Sequence, residues 1–156
     1  MSDPILSNLF ETNLHVIRVN TEGITDAEAL LQPHPAGNCM SWVMGHIVSS
    51  REGALKLLGE EPVLPPESAA RYKRGSDPVA GPGDGLPMSE LLARLALSQE
   101  KLLRAIENAP AAKWEEERGD FGTVRGAFYF LHFHEAYHAG QLALLRRLAG
   151  KKGAIQ

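Results

Sequence analysis

The sequence predicts an all-α fold, a four-helix bundle with a long crossover connection between its second and third helices. Three observations predict it. Four stretches repeat apolar residues at intervals of three and four, and none sustains the period-two alternation of a half-buried strand. A single Pro- and Gly-rich segment, 59–87, separates the second stretch from the third. The 156 residues match the usual size of one domain, about 150 residues, so residues 1–156 are read as one domain.

The first helix is expected from Pro4 to Asn20. Asp3 is its N-cap and Pro4 takes a first-turn position, with Leu6, Leu9, Phe10, Leu14 and Ile17 on one side. A connection follows, Thr21 to Gly37, with a short turn started by Thr25 and ended by Pro33 and Pro35. Asn38 is the expected N-cap of the second helix, which runs through Leu58 and stops at Gly59. The segment from Gly59 to Pro87 reads as one irregular connection, long enough to return along a helix of about 30 Å and let helices two and three run parallel. Ser89 starts the third helix, which ends near Asn108 before Pro110. Thr123 is the N-cap of the fourth, which continues to Ala149 and Gly150. Arg146, Arg147, Lys151 and Lys152 sit where cations favour a helix C-terminus.

Hydrophobic residues make up 44% and charged residues 22%, which excludes a disordered chain or a collagen-like repeat. A net charge of −3 from 16 basic and 19 acidic residues argues against nucleic acid as a partner. No uncharged apolar stretch reaches the roughly 18 residues of a membrane span, and Met1-Ser2-Asp3-Pro4 does not open a signal peptide. Cys39 is the single cysteine and reads as a buried free thiol rather than a reactive one. A cytoplasmic protein is expected, with a small molecule as its partner and neither nucleic acid nor membrane; a homodimer is left open.

The chemistry lies in His134-Glu135-Ala136-Tyr137-His138-Ala139-Gly140-Gln141. Four residues along a helix advance about 6 Å and turn about 40° beyond a full circle, so His134 and His138 share a face and can share a metal. In a heptad frame Val124, Leu131, His138 and Leu145 fall at position a, and Ala127, His134, Gln141 and Leu148 at position d. Two imidazoles and an amide thus replace leucines in the apolar seam, where an unpartnered polar group is costly. His46, on the stripe Cys39, Val43, His46, Ser50, Ala54 and Leu57, is the best third ligand. His15, His34 and His132 read as surface residues. Three imidazoles with one position left open describe a catalytic site better than a structural one. They suit zinc, nickel, iron or copper, with zinc first as the commonest tenant. Gln141 is the candidate catalytic residue, its amide expected to hydrogen-bond a ligand or bound water. Gly140 is expected to admit a neighbouring helix, with Trp42 and Tyr137 either walling the cavity or packing in the core. Glu135, at position e, is expected on the flank, bonded to a ligand or meeting solvent.

Together, Trp42-x-x-Gly45-His46 on the second helix and His134-x-x-x-His138-x-Gly140-Gln141 on the fourth resemble the DinB/YfiT-like superfamily over essentially the whole chain. The resemblance implies a four-helix bundle with His46, His134 and His138 as ligands of a divalent metal. It also implies a reaction of the kind known in that family, thiol-dependent S-transfer or thiol-dependent isomerisation, with a low-molecular-weight thiol as a second cofactor. The expected enzyme class is therefore a metal-dependent transferase. Arg71, Lys73 and Arg74 could hold the carboxylates of that thiol, although a solvated loop is the simpler reading. Metal-assisted hydrolysis of small substrates and a non-catalytic metal-binding bundle remain as alternatives. His134-Glu135-x-x-His138 also satisfies the H-E-x-x-H pattern of metalloproteases, but no His, Asp, Glu or Cys follows His138 to complete that site.

Overall fold

A computed structural model describes residues 3–34 and 37–155. Pro35, expected to close the first connection, and Met1 and Ser2 lie outside the described residues, as do Ala36 and Gln156. Among the described residues all regular structure is helical: α1 (Pro4–Thr21), α2 (Asp26–Ala29), α3 (Met40–Leu57), α4 (Pro66–Arg71), α5 (Met88–Asn108), α6 (Ala111–Glu115) and α7 (Val124–Leu148), with a short 3-10 turn at Gly119–Phe121. No helix among them is long and apolar enough to cross a membrane.

The four expected helices are α1, α3, α5 and α7. Asp3 caps α1 by accepting the Leu6 N–H at 3.0 Å, and Thr123 caps α7 by accepting that of Gly126. Thr25 forms a full capping box with Glu28, in which each side chain satisfies the other's backbone donor. Two starts differ from expectation. Cys39, not Asn38, is the N-cap of α3, with no side-chain cap bond. The helix α5 begins at Met88 after Pro87, whose extended backbone takes the cap position. The 59–87 connection is also less irregular than expected, because it contains α4. Arg71, at the end of α4, braces this connection: it binds the Asp84 carboxylate and the carbonyls of Asp77 and Pro78. Its guanidinium is committed to that brace, which removes it as a carboxylate receptor for a thiol; Lys73 and Arg74 are simply exposed.

The long helices form a closed ring of contacts, α1 on α7, α7 on α3, α3 on α5 and α5 back on α1. The buried face of α7 runs through Val124, Phe128, Leu131, Glu135, His138, Leu142 and Leu145. That is the expected a stripe joined to position e, not d. The helix is therefore rotated so that His134 and Gln141 lie at the edge of the seam, half-buried, while Leu148 is exposed. On α3 every residue from Met40 to Val48 is buried, because the connection covers its outer side. Tyr72 lies directly on Gly45, where any Cβ would overlap its ring, and its hydroxyl accepts the Leu86 N–H at 2.6 Å.

Candidate metal centre

His46 from α3 meets His134 and His138 from α7 near the middle of both helices. The Nε2 atom of His134 stands 3.1 Å from that of His46 and 3.1 Å from that of His138. One ring nitrogen from each of the three lies within 4.8 Å of the others. His46 and His138 are buried and His134 is half-buried.

Two of the rings are held from behind. His46 Nδ1 lies 2.7 Å from the Tyr72 carbonyl oxygen, which can only accept, so Nδ1 carries the proton and Nε2 presents its lone pair. The same logic applies to His138, whose Nδ1 is 2.7 Å from Gln141 Oε1. His46 is also stacked on Trp42, with ring centroids 4.7 Å apart and planes 18° apart, and the Trp42 indole N–H donates to Ser76 Oγ. The Nδ1 atom of His134 is buried with no hydrogen-bond partner.

These residues fit a metal ion. Zinc binds imidazole nitrogen at about 2.0–2.1 Å, so two ligating nitrogens stand about 2.9–3.4 Å apart for angles between about 90° and 110°. The observed 3.1 Å separations fall inside that range. Without an ion, two inward lone pairs from His46 and His138 would face a third ring that has one Nε2 proton at most to share. Burial pushes the pKa of all three down, opposed at His46 by the Tyr72 carbonyl and at His138 by Gln141. His134 falls to about 4, through burial and then the neighbouring His138 and His46 rings. Neutral imidazoles are the ligating form.

A pH dependence follows. The folded-state pKa values lie below the unfolded value of about 6.5, so between about 6.5 and about 4 the unfolded chain binds more protons. Stability of the metal-free protein is full above pH 6.5 and is lost as pH falls through that window. Proton competition for the ligands likewise begins below 6.5, later than unperturbed histidines would give. Thermal midpoints and metal content after dialysis at pH 7, 6 and 5 check this; loss of metal already complete at pH 6 would contradict it.

Other expectations change. Glu135 neither meets solvent nor touches a ligand: it is fully buried and paired with the equally buried Arg51 at 2.6 and 2.9 Å. The rotation of α7 toward position e put it there. Arg51 also donates to Ser98 Oγ at 3.0 Å and thereby links α3, α5 and α7. The pair was absent from the expected site, although Arg51 interrupts the apolar stripe Met44, Ile47, Leu55, and a charge on such a stripe signals a buried partner. His132 is half-buried, edge-on to Phe10, with its carbonyl accepting from Asn13, because α1 packs on that side of α7. His15 and His34 are exposed. Gly140 is exposed with nothing near its Cβ direction, so it admits no helix. Tyr137 is exposed beside His138, and Cys39 is buried, its thiol pKa raised by desolvation.

A cleft of about 270 Å³ ends at His134, between α3 and the start of α7. Larger cavities elsewhere, such as the 460 Å³ space beside α2, do not reach the imidazoles. No curated protein matches the chain. The DinB superfamily model matches residues 9–142, a span that takes in all three histidines, the whole of α3 and most of α7, and the chain belongs to the DinB superfamily.

Proposed function

We propose that the protein is a metal-dependent S-transferase that joins a low-molecular-weight thiol to a small electrophile at His46, His134 and His138. In this reading residues 1–156 form one cytoplasmic domain, a four-helix bundle of α1, α3, α5 and α7 with 59–87 as its crossover. The observation that carries the reaction class is the sequestration of Glu135. In an H-E-x-x-H hydrolase that glutamate is the general base, and here Arg51 holds both of its oxygens in the core. Among the described residues no carboxylate joins the three histidines in the cluster.

A divalent transition metal held there, zinc ahead of nickel or iron, would have only neutral protein ligands and would lower the pKa of an incoming thiol from about 8.5. The chain's part is to aim three lone pairs at one point and leave one side open at the half-buried His134. The thiol proton passes to solvent there. The sulfur lone pair then forms the new carbon–sulfur bond as the leaving group departs, or as an activated alkene takes up a proton. Gln141 acts as a positioning residue, fixing the His138 ring through Nδ1. Gln141→Ala is expected to weaken metal binding about 10–100-fold, the usual effect of losing such an outer partner, with Gln141→Glu restoring most of it. Competition with a chromogenic chelator measures both; unchanged affinity in Gln141→Ala would remove that role.

The reaction is tested with metal-loaded protein against glutathione, bacillithiol, mycothiol and coenzyme A, each with a chromogenic alkyl halide, epoxide or activated alkene. Turnover well above that of His138→Ala supports transfer. Turnover of esters or amides instead would favour metal-assisted hydrolysis, and neither activity would favour a non-catalytic metal-binding bundle.

A further inference from the structure

The cleft that ends at His134 has apolar walls, with Leu57, Phe128 and Leu131 among its lining residues. Phe130 and Phe121 continue it outward as an aromatic path. Phe130 lies 6.3 Å from the His134 ring at 28° to its plane, and Phe121 lies 5.1 Å from Phe130. One cation lines this cleft, Arg118. Its guanidinium has no hydrogen-bond or ion-pair partner among the described residues, a state it shares with Arg18, Arg74 and Arg147, but of these Arg118 alone lines the cleft.

The segment that carries Arg118 is built, not loose. Glu117 and Thr123 form an antiparallel bridge, Arg118 N–H donates to the Gly122 carbonyl at 2.9 Å, and Phe121 N–H to the Arg118 carbonyl at 3.1 Å. Gly119 and Gly122 take positive φ of 48° and 73°, which side chains disfavour. Gly126 lets the Phe121 carbonyl rest on the first turn of α7, where any Cβ would overlap it. The turn therefore holds Phe121 and Arg118 together on the cleft.

We infer that this cleft binds a small carboxylate with an apolar body, the body packed against the apolar and aromatic wall and the carboxylate on Arg118, its far end toward His134. An apolar pocket with one or two placed polar groups is the usual form of a small-molecule site, and about 270 Å³ falls just below the usual range of about 300–1,000 Å³, which suits a ligand of few atoms. Guanidinium is the side chain suited to bidentate carboxylate recognition. The inference rests on the S-transferase reading only in naming this ligand as the electrophilic substrate.

Ligand-observed NMR titrations with 3-phenylpropanoate and its neutral isostere 3-phenylpropanamide test it, using metal-free and zinc-loaded protein. The carboxylate is expected to bind about tenfold tighter than the amide, a charge-assisted bidentate contact, in both forms. Arg118→Gln should abolish the preference, and Phe130→Ala should weaken both ligands. Arg118 is exposed, so an unchanged thermal midpoint is expected for its variant. An absent preference, or one that survives Arg118→Gln, overturns the inference. So does a preference confined to zinc-loaded protein and lost in His138→Ala, which marks the carboxylate as a zinc ligand. Failure of the thiol panel would overturn the reaction but leave this ligand class standing, so the two are separable.

Discussion

Glu135→Gln is expected to destabilise the fold by about 3–5 kcal/mol, the usual result of stranding one member of a buried ion pair. Arg51 would keep its charge in a site where neither side chain has any solvent exposure, with a single neutral amide oxygen in place of the carboxylate beside Ser98 Oγ and the distant Leu95 carbonyl, and with an amide N–H set against one of its own donors. At about 2–4 °C per kcal/mol for a domain near this size, the thermal midpoint should fall by roughly 10 °C. The pair is not needed for stability as such. Arg51→Met with Glu135→Leu should recover most of the loss, because a packed apolar pair avoids desolvating two charges. Metal affinity should not recover fully in that double variant. Glu135 follows His134 directly and Arg51 lies just over one turn after His46, so the bidentate contact sets the register of α3 against α7. Circular-dichroism melts of the single and double variants, with metal titrations on each, decide the matter. A Glu135→Gln protein within about 1 kcal/mol of wild type would refute the argument.

The second large effect concerns the histidines. His46→Ala, His134→Ala and His138→Ala should each reduce metal content from about one per chain to near zero after dialysis. Losing an outer partner already costs about 10–100-fold in affinity, and losing one of three ligands must cost more. His15→Ala, His34→Ala and His132→Ala should retain the metal, although His132→Ala removes a ring packed on Phe10 and should melt earlier. Binding to the folded state also stabilises it, by about 4 kcal/mol at a free metal concentration of 1,000 times Kd. The melting shift on adding zinc should therefore be present in His15→Ala and absent in His46→Ala. Full occupancy in His46→Ala, read by elemental analysis, would take that residue out of the site.

Much of this was legible before any tertiary contact was known. Asp3 and Thr123 announced two helix starts, and Thr25 a short turn that is the four-residue α2, because a capping side chain acts on backbone donors two or three residues away. Gly59 and Gly150, with φ of 82° and 74°, announced two ends for an equally local reason. The start of α3 was misplaced by one residue because Asn38 is the better cap former, yet Cys39 takes that position with its side chain buried instead of capping. The pair His134 and His138 needs only the helical repeat to share a face, and His46 stood out as an imidazole on an apolar stripe.

What one helix could not reveal is the angle at which it turns toward its neighbours. A heptad frame allows the buried seam to follow positions a and d or a and e, and the choice depends on which side chains α1 and α3 offer across the contact. Against those helices α7 buries Phe128, Glu135 and Leu142, and that rotation alone moved Glu135 from the flank into the core and left His134 at the opening. The outer partner of His46 is a backbone carbonyl, Tyr72, and every residue carries one, so no residue type marks it in advance. Caps, turns and helical spacing are written within a few residues and were determined by the sequence. The seam's phase, the Arg51–Glu135 contact across 84 positions and the Tyr72 support across 26 depend on distant segments meeting, and only the tertiary structure decided them.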